Sequence, residues 1–345
     1  MVKQVVRPGG KIFDLMAGTH CVGYALKQQY QIYANDVQEY SYIIGKAFIE
    51  NGGYSINRET AEKELLPNII KNYRTMEYTL FQKTYANTYF TNSQCAEIDS
   101  IRGAVENISS PRKELYLTLL MSAMCYASNT AGHFAEFFDK ASLNPRSVQE
   151  LFFQKCDNAC VAPNRFRNVV FNRDYKDFFE EGEHGLGNVI KNSNLIYLDP
   201  PYSSAQYSRF YHLLETLVKY DYPDVEFKGL YRKDRHFSDF CRKSSAQGEL
   251  KSALRECSKL CKEFFILSYV DSKSCLIPKE KVEEVVRDSF AYSTKPKMFS
   301  ISHSKLGNGV SKEVMEYLIL ATNSKLGKVL VSKLDRNWSS IQRSQ

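Results

Sequence analysis

Short apolar, β-prone runs alternate along this chain with longer stretches whose apolar residues recur every three or four positions. That alternation predicts an α/β fold with a mostly parallel sheet covered by helices. Residues 11–16 predict a first strand, Ala17-Gly18-Thr19-His20 a glycine turn, and 21–29 a helix. Residues 31–36 predict a second strand ending in Asp36, followed by a helix over 41–50 that stops at Asn51-Gly52-Gly53. Residues 169–179 predict a strand that ends at Asp174-Tyr175, and 194–198 a buried strand closed by Asp199-Pro200-Pro201-Tyr202. Further strands are expected over 264–269 and 316–320, helices over 203–218, 250–261 and 278–290, and a glycine-marked hairpin or loop over 305–309. From about 323 onward the chain is polar and basic, which predicts a peripheral tail.

Residues 54–165 are far more than a crossover between two strands requires. Their apolar spacing predicts helices over 60–72 with a break at Pro67, over 92–107 and over 113–128, the last with Leu115, Leu119, Met121 and Met124 on one face. The economical organisation is a sheet domain built from 1–53 and 166–335, a mostly helical inserted module at 54–165, and a tail at 336–345. Within the insertion, residues 129–134 form a turn, and Arg112, Lys140, Arg146, Arg165 and Arg167 supply positive charge. A base- or phosphate-contacting surface and an ordinary solvated basic face both fit these residues.

At 345 residues and 43% hydrophobic, the chain is long and apolar enough for a sizeable core. No apolar run reaches the roughly 18 residues of a membrane span, and the N-terminus lacks the apolar core of a signal peptide, so a soluble, cytoplasmic protein is expected. Nine cysteines, odd in number and without a Cys-x-x-Cys pair, argue against a disulfide framework or a zinc ribbon, and no metal is expected. The net charge of +7 favours a polyanionic partner. From 227 to 243, Arg232, Lys233, Arg235, His236, Arg242 and Lys243 are interleaved with Phe227, Tyr231, Phe237 and Phe240. Charge for phosphate and rings for stacking are what a nucleic-acid contact needs, and a solvated basic loop has the same composition.

The most chemical stretch is Asp199-Pro200-Pro201-Tyr202. Two prolines fix two φ angles and remove two donors, so the Asp199 carboxylate and the Pro200 carbonyl stand as acceptors on a stiff frame beside the Tyr202 ring. A planar ring with an exocyclic amine fits this set: its two hydrogens go to Asp199 and Pro200 while Tyr202 stacks on the ring. A strand ending in a proline turn with an Asp cap is the bland alternative.

This motif resembles that of the Dam-like adenine-N6 DNA methyltransferases, as do the Asp14-to-Thr19 turn, the Asn35-Asp36 strand end, the Asp174-Tyr175 strand end, and the Ser-Tyr and Glu-Tyr-Leu-Ile strands near 268 and 316. The resemblance implies a Rossmann-like methyltransferase sheet with an inserted target-recognition region, and S-adenosylmethionine as cofactor. Carried over by position, Asp14, Ala17, Gly18 and Thr19 would hold the cofactor's methionine end, Asp36 its ribose, and Asp174 with Tyr175 its adenine. Asp174 equally suits a helix N-cap. Asp199, Pro200 and Tyr202 would be catalytic, on an adenine extruded from double-stranded DNA, with a cognate restriction endonuclease as a possible partner. Two positions depart from the family pattern, Met16 where it has Phe and His20 where it has a second Gly. Gly9-Gly10-Lys11 also adjoins the first strand directly, so residues 1–10 either substitute for the family's leading helix or leave it out. The alternatives are an RNA adenine-N6 methyltransferase and a DNA-binding specificity module with a decayed cofactor site.

Overall fold

The computed structural model describes residues 1–130, 132–138, 145–157, 159–180, 186–303 and 312–341. Ala131, Lys140 and the expected hairpin at 305–309 lie outside them.

In chain order the strands are β1 (Lys11–Asp14), β2 (Gln31–Asp36), β3 (Tyr54–Ile56), β4 (Ala159–Val161), β5 (Val169–Asn172) and β6 (Leu195–Leu198). They continue with β7 (Val225–Glu226), β8 (Tyr231–Arg232), β9 (Phe264–Asp271), β10 (Tyr292–Ser293), β11 (Lys297–His303) and β12 (Lys312–Thr322). Eight of them form one sheet in the order β10-β12-β9-β6-β1-β2-β5, with β11 pairing on β12. From β9 through β6, β1 and β2 to β5 every pairing is parallel. The longer β12 runs antiparallel to β9 and to β11. The Rossmann-like α/β reading therefore holds.

β6 lies between β1 and β9, and its Leu195, Ile196 and Leu198 are fully buried. Burial of such side chains stabilises by about 1.5–3 kcal/mol each, which makes this short strand a firm base for the loop at its carboxyl end. The chain leaves β1 toward β2 on one side and reaches β6 on the other. The crevice outside the carboxyl ends of β1 and β6 is therefore the switch point where such sheets bind ligands.

Residues of the 54–165 segment share one core with residues outside it: Phe81, Tyr85, Ile98, Leu115, Met124 and Phe152 pack with Tyr40, Leu213, Leu214 and Leu217. These last three belong to the helix His212–Lys219 that follows the Asp-Pro-Pro-Tyr loop, so the module is anchored directly behind that loop. Arg102 donates to the carbonyl of Leu217 at 2.8 Å, and Tyr220 donates to Asp99 at 2.6 Å across the same junction. β3 and β4 pair antiparallel, joining the segment's entry to its exit.

Among the elements that differ from the sequence expectation, the strand expected over 169–179 ends at Asn172 and gives way to a 3-10 turn at Tyr175–Phe179, and two helices stand out. The helix Arg58–Thr75 runs straight through Pro67. Pro67 and Lys63, whose carbonyl loses its helical donor, both face solvent, while Ala61, Leu65 and Ile69 are buried on the opposite side. The expected tail is a helix, Lys325–Ile341, with Val331 buried and Leu330 and Leu334 packed beneath the sheet. At the other terminus, the four-residue helix Val2–Val5 leads into Val5 and Val6, buried beside Ile12, Tyr30 and Ile32. No described helix is long and apolar enough to cross a membrane.

Candidate active site

A cleft of about 730 Å³ opens at the carboxyl ends of β1, β2, β5 and β6. All ten residues expected at the catalytic and cofactor positions line it: Asp14, Ala17, Gly18, Thr19, Asp36, Asp174, Tyr175, Asp199, Pro200 and Tyr202.

The glycine turn is built to be rigid. Gly18 takes φ 52°, the left-handed region that favours glycine. Its N–H donates to Asp36 Oδ2 and that of Gln38 to Asp36 Oδ1, both at 2.9 Å. The Ser41 hydroxyl donates to the Gly18 carbonyl. Asn35 clamps the neighbouring strand ends, donating to Leu15 and Arg173 carbonyls and accepting from Arg173 N–H.

His20 also has a left-handed backbone, φ 61°. Its ring is buried against Gly45 and bonds the Ser41 carbonyl through Nε2 at 2.9 Å, and it is not among the cleft-lining residues. Burial lowers its pKa to about 4, so the ring is neutral and Nε2 carries the proton it donates. The departure from Gly thus fills space behind the turn and leaves the cleft open.

Asp14 is 2% exposed, and its Oδ1 has no hydrogen-bond partner among the described residues. Burial, then the carboxylates of Asp199 and Asp36, push it well above the ordinary range. Burial likewise raises Asp36 to about 6, against the opposing pull of the Gln38 and Gly18 amides. Three acids around one cleft, one of them with an unsatisfied buried oxygen, suit a cationic ligand that also carries hydroxyls.

Asp199 is exposed at the end of β6 and Pro200 is buried beneath it. Tyr202 is half-buried, its carbonyl accepts from Leu276 N–H at 2.9 Å, and its ring meets Tyr269 edge-on at 6.3 Å. Asp174 caps its own 3-10 turn, accepting from Lys176 N–H at 3.0 Å, as an N-cap residue does. Tyr175 donates to Glu249.

The basic stretch requires a correction. Arg232 is 1% exposed and bonds both oxygens of Asp221, at 2.6 and 2.7 Å, and both of Asp234, at 3.0 and 2.8 Å. Arg235 bonds Glu226 at 2.6 Å and the Arg232 carbonyl at 2.7 Å. The Arg232 guanidinium, with all three nitrogens bonded to carboxylates, braces the protein, and Arg235 is held through Nη1. His236, Lys233, Arg242 and Lys243 are exposed; Lys233 pairs with Asp224 and Arg242 with Asp239. In the insertion, Arg112 pairs with Glu64, while Arg146, Arg165 and Arg167 are exposed.

Tyr40, Tyr207 and Tyr211 line the cleft and were not singled out by sequence reasoning. Glu215 was missed as well; from the helix after the Asp-Pro-Pro-Tyr loop it accepts from the Glu39 and Tyr40 amides at 3.3 and 3.0 Å, capping the helix that follows β2. Only the spacing of Tyr207 and Tyr211, one helical turn apart after the motif, hinted at any of them.

Comparison with known proteins follows the same lines. Residues 2–281 match the family model described as D12 class N6 adenine-specific DNA methyltransferase. The chain is 26% identical to modification methylase StsI of Streptococcus sanguinis, over 80% of this chain and 42% of the relative. It is also 26% identical to type II methyltransferase M.FokI of Planomicrobium okeanokoites, over 83% and 44%. It is 25% identical to type II methyltransferase M.NlaIII of Neisseria lactamica, over 89% and 90%. The chain thus spans less than half the length of the first two relatives and nine tenths of the third.

Proposed function

The chain belongs to the D12 class N6 adenine-specific DNA methyltransferase family, and on that premise we propose that it transfers a methyl group from S-adenosylmethionine to the N6 amine of an adenine extruded from double-stranded DNA, as the modification component of a restriction-modification or orphan system. One observation carries this reading: Asp199 and Pro200, at the end of the central strand β6, open into the same cleft as Asp14, Gly18 and Asp36.

The cleft fits the cofactor. Asp14, with its buried unpartnered oxygen, would take the ammonium of the methionine end, alongside the Ala17 to Thr19 backbone. Asp36 would accept from the ribose hydroxyls, and Asp174 and Tyr175 would face the adenine. Bound there, the cofactor supplies an electrophilic methyl on a cationic sulfonium.

The protein's part is positioning and charge. Adenine N6 is a poor nucleophile because its lone pair is delocalised into the ring. Accepting both amine hydrogens, at the Asp199 carboxylate and the Pro200 carbonyl, favours a pyramidal nitrogen and aims the lone pair toward the cofactor side. Acceptors held in advance by β6 and two prolines need no reorganisation during an in-line transfer. Tyr202 stacks on the extruded ring, with Tyr269 edge-on beside it. The inserted module at 54–165, anchored behind the catalytic loop, is the proposed target-recognition region, the sheet domain comprising 1–53 and 166–335. A cognate restriction endonuclease would be its functional partner, and a cytoplasmic location follows from the substrate.

Sequencing DNA from cells that express the chain tests the reading. N6-methyladenine in one fixed sequence context supports it; unmodified DNA with methylated rRNA would favour the RNA alternative instead.

A further inference from the structure

Two phenylalanines near the cleft are exposed, Phe227 at 68% and Phe237 at 46%, and Phe237 lines the cleft itself. Phe237 thus stands at the rim of the cleft with part of its ring open to solvent. Both are presented by Arg235, whose guanidinium lies 4.7 Å from the Phe237 ring centroid and 5.9 Å from that of Phe227. Arg235 is itself fixed by Glu226 and by the carbonyl of Arg232, which two aspartates hold in turn.

The backbone around Phe237 is equally constrained. The Ser208 hydroxyl donates to the His236 carbonyl at 2.6 Å. Gln206 accepts from Ser238 N–H at 2.9 Å and donates to the Ser238 carbonyl at 3.0 Å. The backbone on both sides of the ring is thereby stapled to the segment just after Tyr202, which anchors Phe237 to the same loop as the Asp199 motif. One ring face is supported by a cation, and exposed Lys233, Arg242 and Lys243 lie in the same stretch. That combination of a supported apolar ring and flanking positive charge suits stacked bases on a phosphate backbone.

Resting on the DNA methyltransferase reading above, we propose that Phe237 is a wedge: it stacks into the duplex beside the target adenine and offsets the stacking lost when that base moves into the cleft. The ion-paired Arg232 and Arg235 then serve as its mount.

The test compares wild type, Phe237→Ala and Phe237→Trp on two duplexes containing the methylated context, one with thymine opposite the target and one with an abasic site there. A base with no pairing partner is cheaper to extrude. Phe237→Ala should therefore lose about tenfold or more in kcat/KM on the paired duplex and less than about threefold on the abasic one. Phe237→Trp should restore the paired rate, and the S-adenosylmethionine Kd should not change in either variant. Equal losses on the two duplexes, or none, would overturn the wedge. So would a weakened cofactor Kd, which would assign the ring to the cofactor pocket. A wild-type chain inactive on both duplexes overturns the underlying reading and the wedge together.

Discussion

The buried ring of His20 offers the sharpest structural test. A methyl group added at Gly45 would stand 2.6 Å from His20 Cε1, 2.7 Å from His20 Nε2 and 2.7 Å from Val170 Cγ1. All three distances are too short for real contact, so the ring or the helix must move. Overpacking of this kind costs about 1–3 kcal/mol, against roughly 1 kcal/mol gained by Ala over Gly inside a helix. Gly45→Ala should therefore destabilise the wild-type chain by up to about 2 kcal/mol, about 1 at the middle of the range. In a His20→Gly background two of the three contacts vanish and only Val170 remains, so the same substitution should be close to neutral. The coupling between the two sites is then about 1 kcal/mol, within the range for residues in contact. Urea denaturation of the four proteins measures it. A second readout follows from Ser41, which bonds both the His20 ring and the Gly18 carbonyl: Gly45→Ala should also weaken cofactor binding. An identical loss of stability in both backgrounds would refute the packing argument.

Asp199→Ala should leave duplex affinity nearly unchanged while lowering single-turnover methyl transfer by at least about a hundredfold, the usual cost of one preorganised polar contact to the reacting group; retained transfer would remove Asp199 from the reaction. Asp36, raised to about 6 from 3.8, holds an extra proton in the folded chain between those values, so its stabilising contribution is full below about pH 4 and is lost as pH rises through 6. The size is about 3 kcal/mol. Ribose hydroxyls donate best to the ionised carboxylate, so calorimetric affinity for S-adenosylmethionine should rise through pH 6, and Asp36→Asn should remove that step. Arg232→Met should destabilise by about 2–3 kcal/mol, since its partners Asp221 and Asp234 still reach water, without altering the salt dependence of DNA binding. Lys243→Ala should lower the salt slope by about one and leave stability intact.

Much of the sheet was legible because buried parallel strands read as short apolar runs. β2 occupies the expected residues 31–36, and the loops after β1, β2, β5 and β6 meet in one cleft as their terminal acids implied. Features that depend on distant partners were not legible. Pro67 does not break its helix because it happens to face solvent while Leu65 and Ile69 are held by the insertion's core. The helix Lys325–Ile341 was hidden because exposed Leu326 and Val329 accompany buried Val331 amid many charges. Arg232 and Arg235 read as phosphate ligands by composition, and only the fold brings Asp221 and Glu226 against them. For the same reason His20 read only as a departure from the family pattern, when Gly45, twenty-five positions away, makes room for its ring.

The central claim is that Asp199 and Pro200 direct an adenine amine toward a methyl donor held beside Asp14 and Asp36. Incubating the purified chain with methyl-labelled S-adenosylmethionine and duplex DNA, then hydrolysing to nucleosides, tests it most directly. The account predicts label in N6-methyldeoxyadenosine alone, abolished by Asp199→Ala. Label in N4-methyldeoxycytidine, or no label in DNA from the wild-type chain, would contradict it.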